Sequence, residues 1–173
     1  MDDSLVLLSR RLGETLLGQR WQVTTAESCT GGWIAQSITD IPGSSDWFGS
    51  GYVTYSNEAK QRMLGVPGSY FAPGAPGAVS RETVTAMAEG ALQASGAQFA
   101  VATSGIAGPG GGSESKPVGT VWIAWAWRLE AGVPVTVNAQ LEHFSGEREA
   151  VRRQAVRAAL AGLLERIEAQ IPA

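Results

Sequence analysis

The sequence predicts an α/β protein, a three-layer α/β/α sandwich around a mixed sheet of about five or six strands. Segments with apolar residues at helical spacing alternate with short β-prone runs, the pattern that buries a sheet between helices. Two of those runs, Phe99–Thr103 and Gly119–Arg128, are nearly unbroken apolar stretches, as expected of strands covered on both faces. The second reaches the next β-prone run through the short turn Glu130-Ala131-Gly132, which permits only an antiparallel pairing, so the sheet is mixed.

Leu5, Leu8, Leu12 and Leu16 predict a first helix over roughly residues 4–18, with Gly18 near its end. Trp21 to Ala26 reads as a strand that runs into Glu27-Ser28-Cys29-Thr30-Gly31-Gly32 and then a short helix from Trp33 to about Ile38. Residues 41–46 have loop chemistry, and residues 47–55 are β-prone with glycines that suggest a bulge. Ser56 is the expected N-cap of a helix from Asn57 to Leu64, closed by Gly65 and Pro67. Residues 65–79 are rich in Gly and Pro and are expected as a surface loop. Ser80 caps the next helix, whose Val84, Met87, Ala88, Ala91 and Leu92 share one face. The Phe99–Thr103 strand leaves into a glycine-rich loop through Ser113. In the strand that follows, Trp125 and Trp127 point to one face and Trp122 to the other. Val133, Val135, Val137 and Leu141 form an alternating strand, placed at an edge by Pro134, and His143 falls in step with its apolar face as a core or wall residue. Ser145 is the expected cap of a final helix carrying the small-residue stripe Ala155, Ala158, Ala159, Gly162 and Leu163. That stripe and the six tryptophans suit either sheet packing or the interface of a homo-oligomer, a dimer being the expectation.

The 173 residues suit a single domain, with no repeat, linker or low-complexity tract. A net charge of -3 argues against a general binder of nucleic acid or anionic membrane, and no apolar run is long enough to span a bilayer. Met1-Asp2-Asp3-Ser4 is acidic where a signal peptide is basic. The lone Cys29 excludes an internal disulfide and fits a cytoplasmic protein. With His143 the only histidine, a His/Cys zinc site cannot be assembled in one chain, and acid–base chemistry falls to Lys, Tyr or carboxylates.

Ligands of open α/β sheets gather outside the carboxyl ends of the strands, where residues 27–32, 55–60 and 103–113 are expected to converge. Ser28 lies on a strand-to-helix turn beside the N–H groups of Thr30, Gly31 and Gly32, which suit an oxyanion or phosphate; a plain helix cap explains the same residues. Cys29 has no nearby base and is expected as a small buried side chain. With Ser56 as N-cap, Tyr55 at N′ and Lys60 at N4 are the pair whose side chains meet in a hydrophobic staple. They bring a phenol and an amine to the crevice, unless Lys60 is solvated beside Glu58. Thr103, Ser104, Gly108, Gly110 and Gly111 can wrap an anion in backbone N–H groups. Arg148, expected at N3 of the last helix, opposes the helix dipole unless an anion or Glu142 or Glu147 neutralises it.

Four blocks in order resemble the CinA C-terminal domain family: Thr25-Ala26-Glu27-Ser28-Cys29-Thr30-Gly31-Gly32; Gly51-Tyr52-Val53-Thr54-Tyr55-Ser56-Asn57-Glu58-Ala59-Lys60; Ala102-Thr103-Ser104-Gly105-Ile106-Ala107-Gly108-Pro109-Gly110-Gly111 with Lys116-Pro117-Val118-Gly119-Thr120-Val121; and Phe144-Ser145-Gly146-Glu147-Arg148. The resemblance covers nearly the whole chain and implies one domain over residues 1–173 that deamidates nicotinamide mononucleotide to nicotinic acid mononucleotide and ammonia, in pyridine-nucleotide salvage. It implies Ser28 as nucleophile, Lys60 as base and Tyr55 as its assistant, with no metal and no cofactor. Longer members carry an additional N-terminal hydrolase domain; nothing in this sequence corresponds to it. The alternatives are a non-catalytic domain that binds a nucleotide or phosphate, and a generic amidase or esterase.

Overall fold

The computed structural model describes residues 2–173; Met1, the start of the acidic stretch read above, lies outside the described residues. The elements follow in the order α1 (Asp3–Gln19), β1 (Val23–Glu27), α2 (Trp33–Thr39), β2 (Phe48–Val53), α3 (Asn57–Leu64), α4 (Arg81–Ser95), β3 (Phe99–Gly105), β4 (Thr120–Trp127), β5 (Thr136–His143) and α5 (Arg148–Ala169). The mixed sheet has the order β2-β1-β3-β4-β5. β1 pairs in parallel with both β2 and β3, whereas β3–β4 and β4–β5 are antiparallel. The bulge foreseen from the glycines of β2 falls between the pairs Val23–Phe48 and Thr25–Gly51.

Each sheet face carries its own core. On one, Leu12 and Leu16 of α1, Ile34 and Ile38 of α2 and Leu160 and Leu163 of α5 pack on Val101, Ile123 and Trp125. On the other, Val84, Met87, Ala88 and Leu92 of α4 cover Ala26, Ala100, Ala102 and Ala124, with Leu64 of α3 at the margin. Burying both faces of β3 and most of β4 is why those strands read as continuous apolar runs. Among the described residues no helix is long and apolar enough to cross a membrane.

Four expectations are corrected. The last strand begins at Thr136 rather than Val133, because its ladder with β4 starts at the Trp127–Thr136 pair and Pro134 has no N–H to donate. His143 is exposed: the α4 core covers Val135, Val137 and Ala139, and the strand then runs past it, leaving Leu141 exposed as well. Ser145 does not cap α5. The helix starts at Arg148 behind Glu147, and the Ser145 carbonyl accepts from Gln154 Nε2 instead. Residues 65–79 are more than a surface loop, since Tyr70 and Phe71 pack on the second core. The small-residue stripe of α5 lies against the sheet. A Cβ on Gly162 would overlap the Trp125 ring, and Trp125 Nε1 donates to the Ala159 carbonyl.

Candidate active site

The three parallel strands β2, β1 and β3 end side by side, and the chain continues from them as Thr54-Tyr55, Ser28 and Ile106. A cleft of about 270 Å³ opens there. It is lined by Ser28, Cys29, Tyr55, Asn57, Lys60, Ala78, Val79 and Arg148, with the run Ser104–Gly108 and Gly110 and Gly111. A larger groove of about 950 Å³ runs along α1, α2 and the start of α5 and shares Arg148 with the cleft. The smaller cleft holds the paired hydroxyl and amine, so it is the candidate site.

Ser28 stands at the start of a turn whose later residues, Gly31 (φ 61°) and Gly32 (φ 98°), are left-handed. Two glycines there let the chain reverse out of β1 directly into α2. Ser56 accepts from Ala59 N–H at 3.0 Å, which caps α3 and puts Lys60 on its buried side. Lys60 Nζ lies 2.8 Å from Ser28 Oγ, 2.8 Å from the Thr54 carbonyl and 3.2 Å from that of Tyr55. The lysine is 1% exposed, and burial pulls its pKa down to about 8. Two carbonyls occupy two of its hydrogens. When the amine is neutral, its lone pair is left for the Ser28 hydroxyl.

Tyr55 is not where the staple geometry puts it. The lysine meets its backbone carbonyl, while the ring, 62% exposed, turns out to the rim and its hydroxyl accepts from Arg148 Nη2 at 3.1 Å. Arg148 is the first residue of α5, and its Nη1 also donates to the Gly108 carbonyl at 2.8 Å. Neither Glu142 nor Glu147 pairs with it among the described residues. Gly108, Gly110 and Gly111 sit beside it, and their N–H groups reach no protein acceptor among the described residues.

The structure does not bring Thr30, Gly31, Gly32 and Thr103 to the cleft wall. Gly31 N–H donates to the Ser28 carbonyl, and the Thr30 and Thr103 hydroxyls bond each other at 2.8 Å behind the turn. Ser104 lines the cleft, but its hydroxyl donates to the Ala78 carbonyl and ties residues 78–79 into the wall.

Sequence reasoning missed Glu27. Its carboxylate is fully buried and accepts from Thr30 Oγ1 at 2.7 Å, Ile34 N–H at 2.8 Å and Ala35 N–H at 3.1 Å, while burial pushes its pKa up. It caps α2 from the end of β1, because the helix's own N-cap, Gly32, has no side chain. An acidic residue closing a strand rich in β-branched residues just before an uncapped helix was the available signal. Cys29, by contrast, is the buried thiol expected, raised to about 12 by burial. Its N–H donates to no other residue among those described, and Cys29 itself lines the cleft.

The model of the CinA C-terminal domain family matches residues 6–167. Nicotinamide-nucleotide amidohydrolase PncC of Pseudomonas putida is 59% identical over 94% of this chain and 97% of that protein. The protein of the same name in Escherichia coli K12 is 55% identical over 92% of each. The crystal structure of competence/damage inducible protein CihA from Agrobacterium tumefaciens superposes with a TM-score of 0.87 at 44% identity, covering 94% of both chains.

Proposed function

The chain belongs to the CinA C-terminal domain family, and from that premise we propose that it is a single amidohydrolase domain acting on the carboxamide of nicotinamide mononucleotide. The observation that carries the proposal is the 2.8 Å approach of Ser28 Oγ to the buried amine of Lys60. The names of relatives more than half identical in sequence supply the substrate.

Neutral Lys60 takes the Ser28 proton as Oγ attacks the carboxamide carbon. The oxyanion forms against the Cys29 N–H, the amide following the nucleophile, since the Gly31 N–H already donates to the Ser28 carbonyl. Losing such a donor costs ~10²–10³ in rate. Lys60, now an ammonium, returns its proton to the departing nitrogen, the C–N bond breaks, and ammonia leaves an acyl ester on Ser28. Water then gives a proton to Lys60 and attacks the ester carbon. The C–Oγ bond breaks as Lys60 returns that proton to Ser28 Oγ, and the acid so formed loses its own proton to solvent as the carboxylate. The free N–H groups of Gly108, Gly110 and Gly111, with Arg148, hold the phosphate. Tyr55 acts at the rim through Arg148, and no step passes through its hydroxyl.

Ser28→Ala is expected to abolish ammonia release from the mononucleotide while nucleotide binding, followed by calorimetry, stays within about threefold of the unaltered chain. Free nicotinamide, which lacks the phosphate, is expected to be a far poorer substrate. Undiminished turnover by Ser28→Ala rejects the nucleophile, and binding without turnover in the unaltered chain leaves a nucleotide-binding domain.

A further inference from the structure

The proposed chemistry requires the 28–32 turn to hold Oγ against Nζ, and the turn is gripped from two sides. Glu27 takes N–H groups at the start of α2. The carbonyl side is taken from across the molecule by α5: Arg152 Nε donates to the Cys29 carbonyl at 3.0 Å, and its Nη2 donates to that of Thr30 at 3.1 Å. The guanidinium carbon lies 5.5 Å from the Trp33 ring centroid, and Nη2 sits 3.1 Å from where a Cβ on Gly31 would stand. Among the described residues no carboxylate pairs with Arg152. Its donors serve the backbone carbonyls of the turn, in the fork geometry that only arginine offers. Arg152 does not line the cleft, yet Arg148, one helical turn earlier on the same face, does.

We propose that Arg152 is a positioning residue for the nucleophile, bridging the Cys29 and Thr30 carbonyls so that Ser28 Oγ stays in line with Lys60. The inference rests on the reading of Ser28 as nucleophile. It makes a specific demand: loss of the clamp lowers turnover without weakening substrate binding, because misplacing a reacting group costs rate rather than affinity.

The test is steady-state ammonia release from nicotinamide mononucleotide by the full chain and by Arg152→Gln, Arg152→Lys and Ser28→Ala, with guanidinium added at millimolar concentrations that leave the unaltered chain unchanged. Arg152→Gln is expected to lower kcat by roughly ten- to a hundredfold with KM within about twofold. Arg152→Lys, which keeps the charge but not the fork, is expected to fall between, and guanidinium to restore part of the Arg152→Gln turnover. The clamp is overturned if both variants keep kcat within about twofold, if the loss lies in KM, or if it follows a lowered thermal midpoint and guanidinium leaves it unchanged. Should Arg152→Gln fail to fold, the kcat-against-KM split of Arg152→Lys decides the matter. An active Ser28→Ala defeats the nucleophile reading itself, whereas an inactive one beside an unimpaired Arg152→Gln defeats only the clamp.

Discussion

Burial acts with opposite sign on an amine and on acids, and the Ser28 turn shows both. It penalises the charged form of each group, which lowers Lys60 to about 8, raises Cys29 to about 12 and raises Glu27. In the proposed mechanism the same desolvation therefore readies Lys60 as base and silences the thiol beside it, leaving the Ser28 hydroxyl as the nucleophile. Because the reactive amine is the unprotonated one, kcat/KM is expected to rise with pH up to about 8 and to level off above it. At pH ~6 it should lie on the order of a hundredfold below the plateau. A flat profile between pH ~6 and ~9 would remove Lys60 as base. Stability carries a second sign. The folded pKa lies below the ordinary 10.5, so between about 8 and 10.5 the unfolded chain binds the extra proton and folding strengthens as pH rises through that window. Ser28 and Lys60 were legible because motif and helix phase speak to single side chains. Helix phase also paired the Tyr55 ring with Lys60, but the amine bonds the Tyr55 carbonyl and the ring is drawn to Arg148. That guanidinium is contributed by a helix far along the chain.

At the scale of elements, Lys60 is only as well placed as α3. The helix is fastened by the Ser56 cap at one end and the left-handed Gly65 at the other, both readable from residue type. What sets its depth is α4, where Gly90 faces the Leu64 carbonyl so closely that an added Cβ would overlap the oxygen. A backbone atom cannot swing aside as a side chain can. On helix propensity alone, Gly90→Ala would stabilise by ~1 kcal/mol. It is expected instead to destabilise by about 1–3 kcal/mol through overpacking, and to lower kcat by pushing α3, and Lys60 with it, away from Ser28. Denaturant unfolding and turnover measured on one preparation check both parts; a stabilised, fully active variant would show that α3 does not rest on this contact. The start of α5 was misplaced for a related reason. Ser145 has the type of a cap, but Phe144 N–H is held by the Gly119 carbonyl and Gly146 is left-handed at φ 107°. The helix therefore cannot begin before Arg148, behind Glu147, and tertiary contacts override a local preference.

At the scale of the whole molecule, the site gathers on the parallel part of the sheet while β4 and β5 close the other side. Layering and the antiparallel turn were legible from apolar periodicity and one short connection. The order β2-β1-β3 was not, because it rests on pairings between strands distant in sequence that no local pattern encodes. That order places the two halves of the proposed dyad, Ser28 and Lys60, unequally. Ser28 leaves β1, whose residues are all buried and which has neighbours on both sides. Lys60 follows β2, an edge strand with every second residue exposed. Local opening requires the least loss of burial at such an edge. Native-state hydrogen exchange is therefore expected to show β1 and β3 amides exchanging at the rate of global unfolding, and those of β2, α3 and β5 roughly tenfold or more faster. Because β2 and α3 carry Lys60 away from Ser28 when they open, urea is expected to abolish ammonia release before it unfolds the core around Trp47 and Trp125. Coincident loss of activity and tryptophan fluorescence, with β2 amides as protected as those of β1, would mean that the edge and the centre of this sheet unfold together and that the dyad is no easier to separate than the fold.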